Sequence, residues 1–176
     1  MSTFNLKSTI LTNRDATPKV LQDAYLSGGE LKESTGFIQT AGATDGVGST
    51  YRLCQVPSNA RVTGLVMQAG ALGSACSLDI GVWYPTFIPV GSGLSASNAS
   101  LVINTTLFGS ALACSSATAV TELITPANIA QNVQEQPLWQ MAGLTTDPGI
   151  DLDIVAYVHA SVATQGYVGL KARYII

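Results

Sequence analysis

The hydrophobic residues of the chain fall into short runs with a period of two. Tyr51–Val56 (YRLCQV) is closed by Pro57-Ser58-Asn59, and Arg61–Gln68 (RVTGLVMQ) follows. In Ser77–Tyr84 (SLDIGVWY), Leu78, Ile80, Val82 and Tyr84 share one face while Asp79, Gly81 and Trp83 share the other. That alternation predicts a half-buried strand. Leu101–Phe108 (LVINTTLF) and Asp153–His159 (DIVAYVH) are further β-rich runs. The last run, GYVGLKARYII, places Val168, Leu170, Ala172, Tyr174 and Ile176 on one face, opposite Tyr167, Lys171 and Arg173. A slip of one residue would bury two cations, so its register is well specified.

A single segment reads as helix. Pro137 precedes LWQMA and Gly143 follows it, the punctuation of a short helix of about two turns. Either Leu138 with Met141 or Trp139 with Leu144 would anchor it on a sheet. The intervening segments are rich in Gly, Ser, Ala and Asn, notably Val90–Ser100. About seven or eight short strands separated by turn residues predict an all-β, single-domain β-sandwich or jelly roll.

Charge adds a division that hydropathy does not show. Residues 1–33 carry eight of the nineteen charged side chains, and punctuation at Pro18 and Gly28-Gly29 leaves them without a sustained period. The chain is therefore expected to have an extended N-terminal arm, residues 1–33, and a charge-poor body, residues 34–176. Draping over a neighbouring subunit and serving as a flexible leader are both compatible with such an arm.

Charged residues make up only 11% of the chain, against about 25% in average proteins. Either partners cover much of the surface, or Gly, Ser, Thr and Asn supply its polarity. With eight Lys and Arg and a net charge of −3, there is no basic field to neutralise phosphates, so nucleic-acid binding is not expected. No apolar run approaches the roughly 18–20 residues of a membrane helix. The opening MSTFNLKST lacks the charged-then-apolar pattern of a secretory signal, so synthesis and retention in cytoplasm are expected. Cys54, Cys76 and Cys114 are widely spaced and odd in number, which predicts buried free thiols rather than a disulfide framework or a metal site.

Candidate chemistry is sparse. His159 is the one histidine, and it is expected at the surface or an interface rather than as a general base; no GxSxG elbow accompanies it. Asp147, Asp151 and Asp153 in TTDPGIDLD could hold calcium, but their spacing departs from the EF-hand and Asp147-Pro148-Gly149 reads as a turn. Glu122 and Glu135 carry no signal as a carboxylate pair. Gly42, Gly46 and Gly48 lack the lysine of a phosphate loop. The Asn-x-Ser/Thr triplets at Asn98 and Asn104 carry no weight without a secretory signal. Trp83, Tyr84, Phe87 and Trp139 read as packing residues first and a carbohydrate platform second. No catalytic residue, cofactor or metal is expected.

The order of four segments is distinctive: TNRDATPKVL (12–21), GGELKESTG (28–36), GSTYRLCQVPSNARV (48–62), and EQPLWQMAGLTTDPGIDLDIVAYV (135–158) leading to GLKARYII. In these the chain resembles small tailed-bacteriophage virion structural proteins, in particular head decoration or cement proteins. The resemblance omits the stretches near 85–100 and 110–130. It implies a non-enzymatic oligomer on the capsid surface of the virion that ties coat subunits together. The implied partners are the major capsid protein and the chain itself, as a homodimer or homotrimer. Asn13, Arg14 and Lys19 in the arm are the preferred polar contacts to the coat protein. A tail, neck or head-fibre component would show the same traits. A carbohydrate-binding β-sandwich, motivated by the aromatics and the DPGIDLD turn, is the alternative from another class.

Overall fold

The computed structural model describes residues 29–86, 101–117, 120–125 and 129–176, together with isolated positions among the first 28. The chain divides into two units, Met1–Glu30 and Leu31–Ile176. Asn13, Arg14 and Lys19 lie outside the described residues.

Among its described residues the second unit holds eight strands: β1 (Leu31–Gln39), β2 (Thr50–Pro57), β3 (Arg61–Ala69), β4 (Ser77–Trp83), β5 (Val102–Ala113), β6 (Thr121–Glu122), β7 (Asp151–Ala160) and β8 (Tyr167–Ile175). They form two antiparallel sheets, β1-β8-β3-β6 and β2-β7-β4-β5. The first strand pairs with the last, the second with the seventh, the third with the sixth and the fourth with the fifth. One long antiparallel ribbon folded over on itself produces that pairing, and it is the order of a jelly roll. The strand order thus decides between the two all-β architectures that the sequence leaves open.

A single core lies between the sheets. Val62, Leu65, Met67, Val168, Leu170 and Ala172 come from the first sheet, and Val56, Leu78, Ile80, Val82, Leu152, Ile154, Ala156 and Val158 from the second. The alternation of β8 is realised at Val168, Leu170 and Ala172, whereas Tyr174 is half-buried and Ile176 is exposed at the chain end.

β4 differs from its half-buried expectation. Leu78, Ile80 and Val82 face the core, but Asp79, Gly81 and Trp83 on the other face are buried too. The cause is β5. Ile80 pairs with Gly109 and Val82 with Asn104, so β5 bulges between these points. Its backbone crosses the outer face of β4 so closely that a Cβ on Gly81 would lie 2.1 Å from the Asn104 carbonyl oxygen. Glycine is required there for this close approach.

The expected helix is present as α2 (Leu138–Met141), and among the described residues a further short helix, α1 (Gln131–Gln134), precedes it. Pro137 is the N-cap of α2, and the first helical N–H groups donate to carbonyls of the β2–β3 turn, Leu138 to Ala60 (2.8 Å) and Trp139 to Ser58 (3.0 Å). Gly143, at φ +86°, ends the helix as Gly143 N–H donates to Gln140 and Leu144 N–H to Trp139. This is a Schellman ending, which needs the left-handed residue that glycine supplies. Leu138 and Met141 are the anchors, both buried, while Trp139 and Leu144 are half-buried.

Candidate interaction surfaces

The outer face of the first sheet is built from alternate residues of β1, β8 and β3. Pairing places Glu33 opposite Arg173, Thr35 opposite Lys171 and Phe37 opposite Gly169 on β1 and β8. On the far side of β8, Lys171 pairs with Val66 and Gly169 with Gln68. Because Gly169 contributes no side chain, the row containing Phe37 opens into a trough. Two adjoining hollows of about 510 and 370 Å³ share Phe37, Gln68 and Gly169, and Val120 and Tyr167 border them. Phe37 is 74% exposed, Val120 66% and Tyr167 55%. Towards one end of this face Glu33 accepts from Lys171 Nζ at 3.1 Å and lies 3.7 Å from Arg173 Nε. The hydrogen bond from Lys171 is the main reason that the Glu33 carboxyl is held below its ordinary range.

The outer face of the second sheet is the opposite in kind. The Arg52 guanidinium pairs with Asp153, donates to the Tyr84 carbonyl oxygen at 2.8 Å, and lies 5.8 Å from the centroid of the Trp83 ring. Trp83 in turn packs against Tyr157, centroids 6.2 Å apart. Buried Asp79 accepts from the Ala111 N–H at 2.6 Å and pairs with His159 Nδ1 at 3.0 Å. The bond from Ala111 accompanies a backbone at φ +50°, a left-handed conformation that alanine seldom adopts. His159 is at the surface, as its isolation in the sequence suggests, with its side chain 51% exposed. Its partner was not visible in the sequence, because 80 positions separate it from Asp79.

Most candidates for chemistry resolve into structural roles. Asp147 accepts from Ser58 Oγ and from the Gly149 N–H at 2.9 Å, closing the turn read from its Pro-Gly neighbours. Asp151 accepts from Gln55 Nε2 at 2.7 Å, and Asp153 belongs to Arg52. Among the described residues no three His, Cys, Asp or Glu side chains are grouped to hold a metal ion. Glu122 accepts the backbone N–H groups of Leu65 and Ile124. In the Gly42–Gly48 loop, Asp45 accepts from Ala41 N–H and Tyr51 Oη, both at 2.8 Å, so the loop is closed by its own carboxylate. Burial first, and then this bond, push the Tyr51 hydroxyl well above its ordinary range. Trp83 is buried, Tyr84 and Trp139 are half-buried, and Phe87 and Asn98 lie outside the described residues.

All three cysteines are free and buried. Burial raises each thiol above its ordinary value, that of Cys114 to about 12.

No protein-family model matches the chain, and no curated protein matches it. Two solved structures align with most of the chain. A chain in the capsid of Ralstonia phage GP4 superposes with a TM-score of 0.54 at 17% identity, covering 84% of each chain. A chain in the capsid asymmetric unit of cyanophage Pam1 aligns with a TM-score of 0.47 at 18% identity, covering 85% of this chain and 86% of that one. The GP4 capsid chain thus shares this two-sheet fold across most of its length.

Proposed function

We propose that the chain is a non-enzymatic phage virion structural protein, a decoration or cement protein that binds the assembled shell and bridges coat subunits. The observation that carries this reading is the fold shared, across most of both chains, with a chain of the Ralstonia phage GP4 capsid. Two features of the chain support it. Its hydrogen-bonded carboxylates and its histidine hold the fold together rather than converging on a substrate-sized site. Its most exposed large apolar side chain among the described residues, Phe37, sits on a sheet face instead of at a chain end.

The mechanism is mass action. A ligand that binds the assembled shell and not its free subunits stabilises the shell in proportion to its occupancy. Many weak contacts made together hold far more firmly than one. The major capsid protein is the proposed partner, the capsid surface the proposed location, and Asn13, Arg14 and Lys19 of the arm the proposed polar contacts. Quantitative mass spectrometry of purified particles of the parent phage tests the reading. A copy number comparable to the coat protein is expected. A handful of copies would move the chain to the neck, tail or a fibre, and its absence from particles would overturn the virion reading. Removal of residues 1–30, which leaves β1 whole, is expected to abolish particle binding while the body stays folded; retained binding would remove the arm from the contact.

A further inference from the structure

The outer face of the first sheet carries a knob beside a hole. The knob is Phe37, 74% exposed on β1. The hole is the trough over Gly169 on β8, about 510 Å³ with a further 370 Å³ adjoining. The two lie in the same row of the sheet, since Phe37 pairs with Gly169. An isologous contact brings one patch against itself, so it needs each feature and its complement side by side.

The register shows what such a contact would match. Consider a two-fold axis parallel to the strands, running between β1 and β8 of two faces laid together. Rotation keeps each row at its height and exchanges the two strands. Phe37 then stands over the partner's Gly169. Glu33 stands over the partner's Arg173, because these two also share a row. The apolar end meets the apolar end, and the charged end meets its opposite charges. Under this axis β1 and β8 of each copy overlap, β1 being the edge strand. Strands of nine residues at roughly 3.3 Å each, about 4.8 Å apart, make that overlap roughly 30 by 10 Å. It falls below the ~800 Å² per partner of a standard interface and in the range of weak, transient contacts.

We propose that this face is the site of self-association and that its occupant is the same face of a second copy, with Phe37 seated in the partner's trough. The inference deepens the structural reading above and rests on it for its purpose, not for its geometry. It is tested on the purified full chain without any particle, so it can fail or stand independently of shell binding.

Light scattering and sedimentation should give twice the 18.2 kDa chain mass. Phe37→Asp removes the knob, and Gly169→Leu fills the hole. A Cβ at Gly169 meets nothing nearer than the Phe37 Cβ at 3.6 Å, so a side chain can begin there without displacing backbone. Each should weaken self-association by roughly thirtyfold or more, as loss of a central anchor does. Val47→Asp, at another exposed apolar residue away from these strands, should leave it unchanged. Circular dichroism and thermal unfolding confirm that each variant is folded. A monomeric wild-type chain at roughly 100 μM, within the concentration range of weak complexes, would overturn the proposal. So would a dimer that survives either Phe37→Asp or Gly169→Leu. A dimer untouched by both, with shell binding lost, would assign the face to the coat protein instead.

Discussion

Gly36→Ala should be among the most damaging conservative changes in the body. β1 crosses the bulge of β2 at Leu53, and a Cβ on Gly36 would lie 1.7 Å from the Leu53 carbonyl oxygen and 2.7 Å from its carbon. The first distance is about half the ordinary carbon–oxygen separation of roughly 3.3 Å. The obstacle is backbone, so no side chain can swing aside, and β1 or β2 has to move. Such a movement stretches the Gln55 N–H bond to Ser34 Oγ (3.2 Å) and the Cys54 thiol contact to the Ser34 carbonyl (3.4 Å). Overpacking of this kind costs about 1–3 kcal/mol, and each weakened hydrogen bond adds about 1 kcal/mol. A loss of about 3 kcal/mol follows, which in a chain of this size lowers Tm by roughly 6–12 °C. Gly169→Ala is the control. It lies on the neighbouring strand, its Cβ would make only ordinary contacts at 3.6 Å or more, and it carries the same gain from a stiffer unfolded chain. Thermal unfolding followed by circular dichroism reads both. Equal Tm values for the two variants would refute the reasoning, because the close approach at Leu53 is the sole difference it invokes.

Three further outcomes follow from burial. Leu138→Ala should cost about 2–5 kcal/mol in urea unfolding, since Leu138 is fully buried, while Trp139→Ala on the half-buried side of α2 should cost clearly less; the reverse order would mean that the other pair anchors the helix. The thiols should be silent towards Ellman's reagent in the native chain at pH 8, with all three reacting after denaturation. Because burial raises their pKa on folding, the native state holds these protons more tightly than the unfolded state does. Their contribution is therefore complete below the unfolded value near 9 and lost as pH rises towards about 12, where Cys114 ionises. Cys114→Ala should flatten that alkaline decline, and an unchanged slope between pH 9 and 11 would contradict it, on the same linkage argument at about those pH values.

How far the sequence could be read depended on where the apolar signal lay. β2, β3, β4, β7 and β8 are legible because inward positions such as Val56, Leu65, Ile80, Ile154 and Leu170 alternate with outward ones. β1 gives no such signal. Its inward positions are Lys32, Ser34, Gly36 and Ile38, of which Ile38 alone is apolar and packs on the core. Gly36 and Ser34 are there because β2 passes close by, a reason that lies in another strand. α1 has Val133 as its one apolar residue, too little for a helical period. β5 was read as far as Phe108 but continues to Ala113, because its bulges break the period of two. The trough needed three strands in register, and neither Phe37 nor Gly169 stands out alone. The two candidate surfaces therefore had to come from pairing, not from motifs.

The contrast between the two outer faces gives the low charge content a physical meaning. On the second sheet Arg52 and Asp153 use their charges on one another, Asp79 is bonded to Ala111 and His159, and the β5 bulge closes over Gly81. Little polarity there is left to direct a partner. On the first sheet Glu33 already engages Lys171 and Arg173 within the chain, so a partner finds a partly neutralised end and an open apolar trough. Exposed ion pairs contribute little to affinity and are screened by salt. Apolar burial is neither, and it scales with the area removed from water. Under the proposed self-association of a chain with nineteen charged side chains in 176 residues, specificity comes from fit, and Phe37 beside the Gly169 trough is where the described surface offers it.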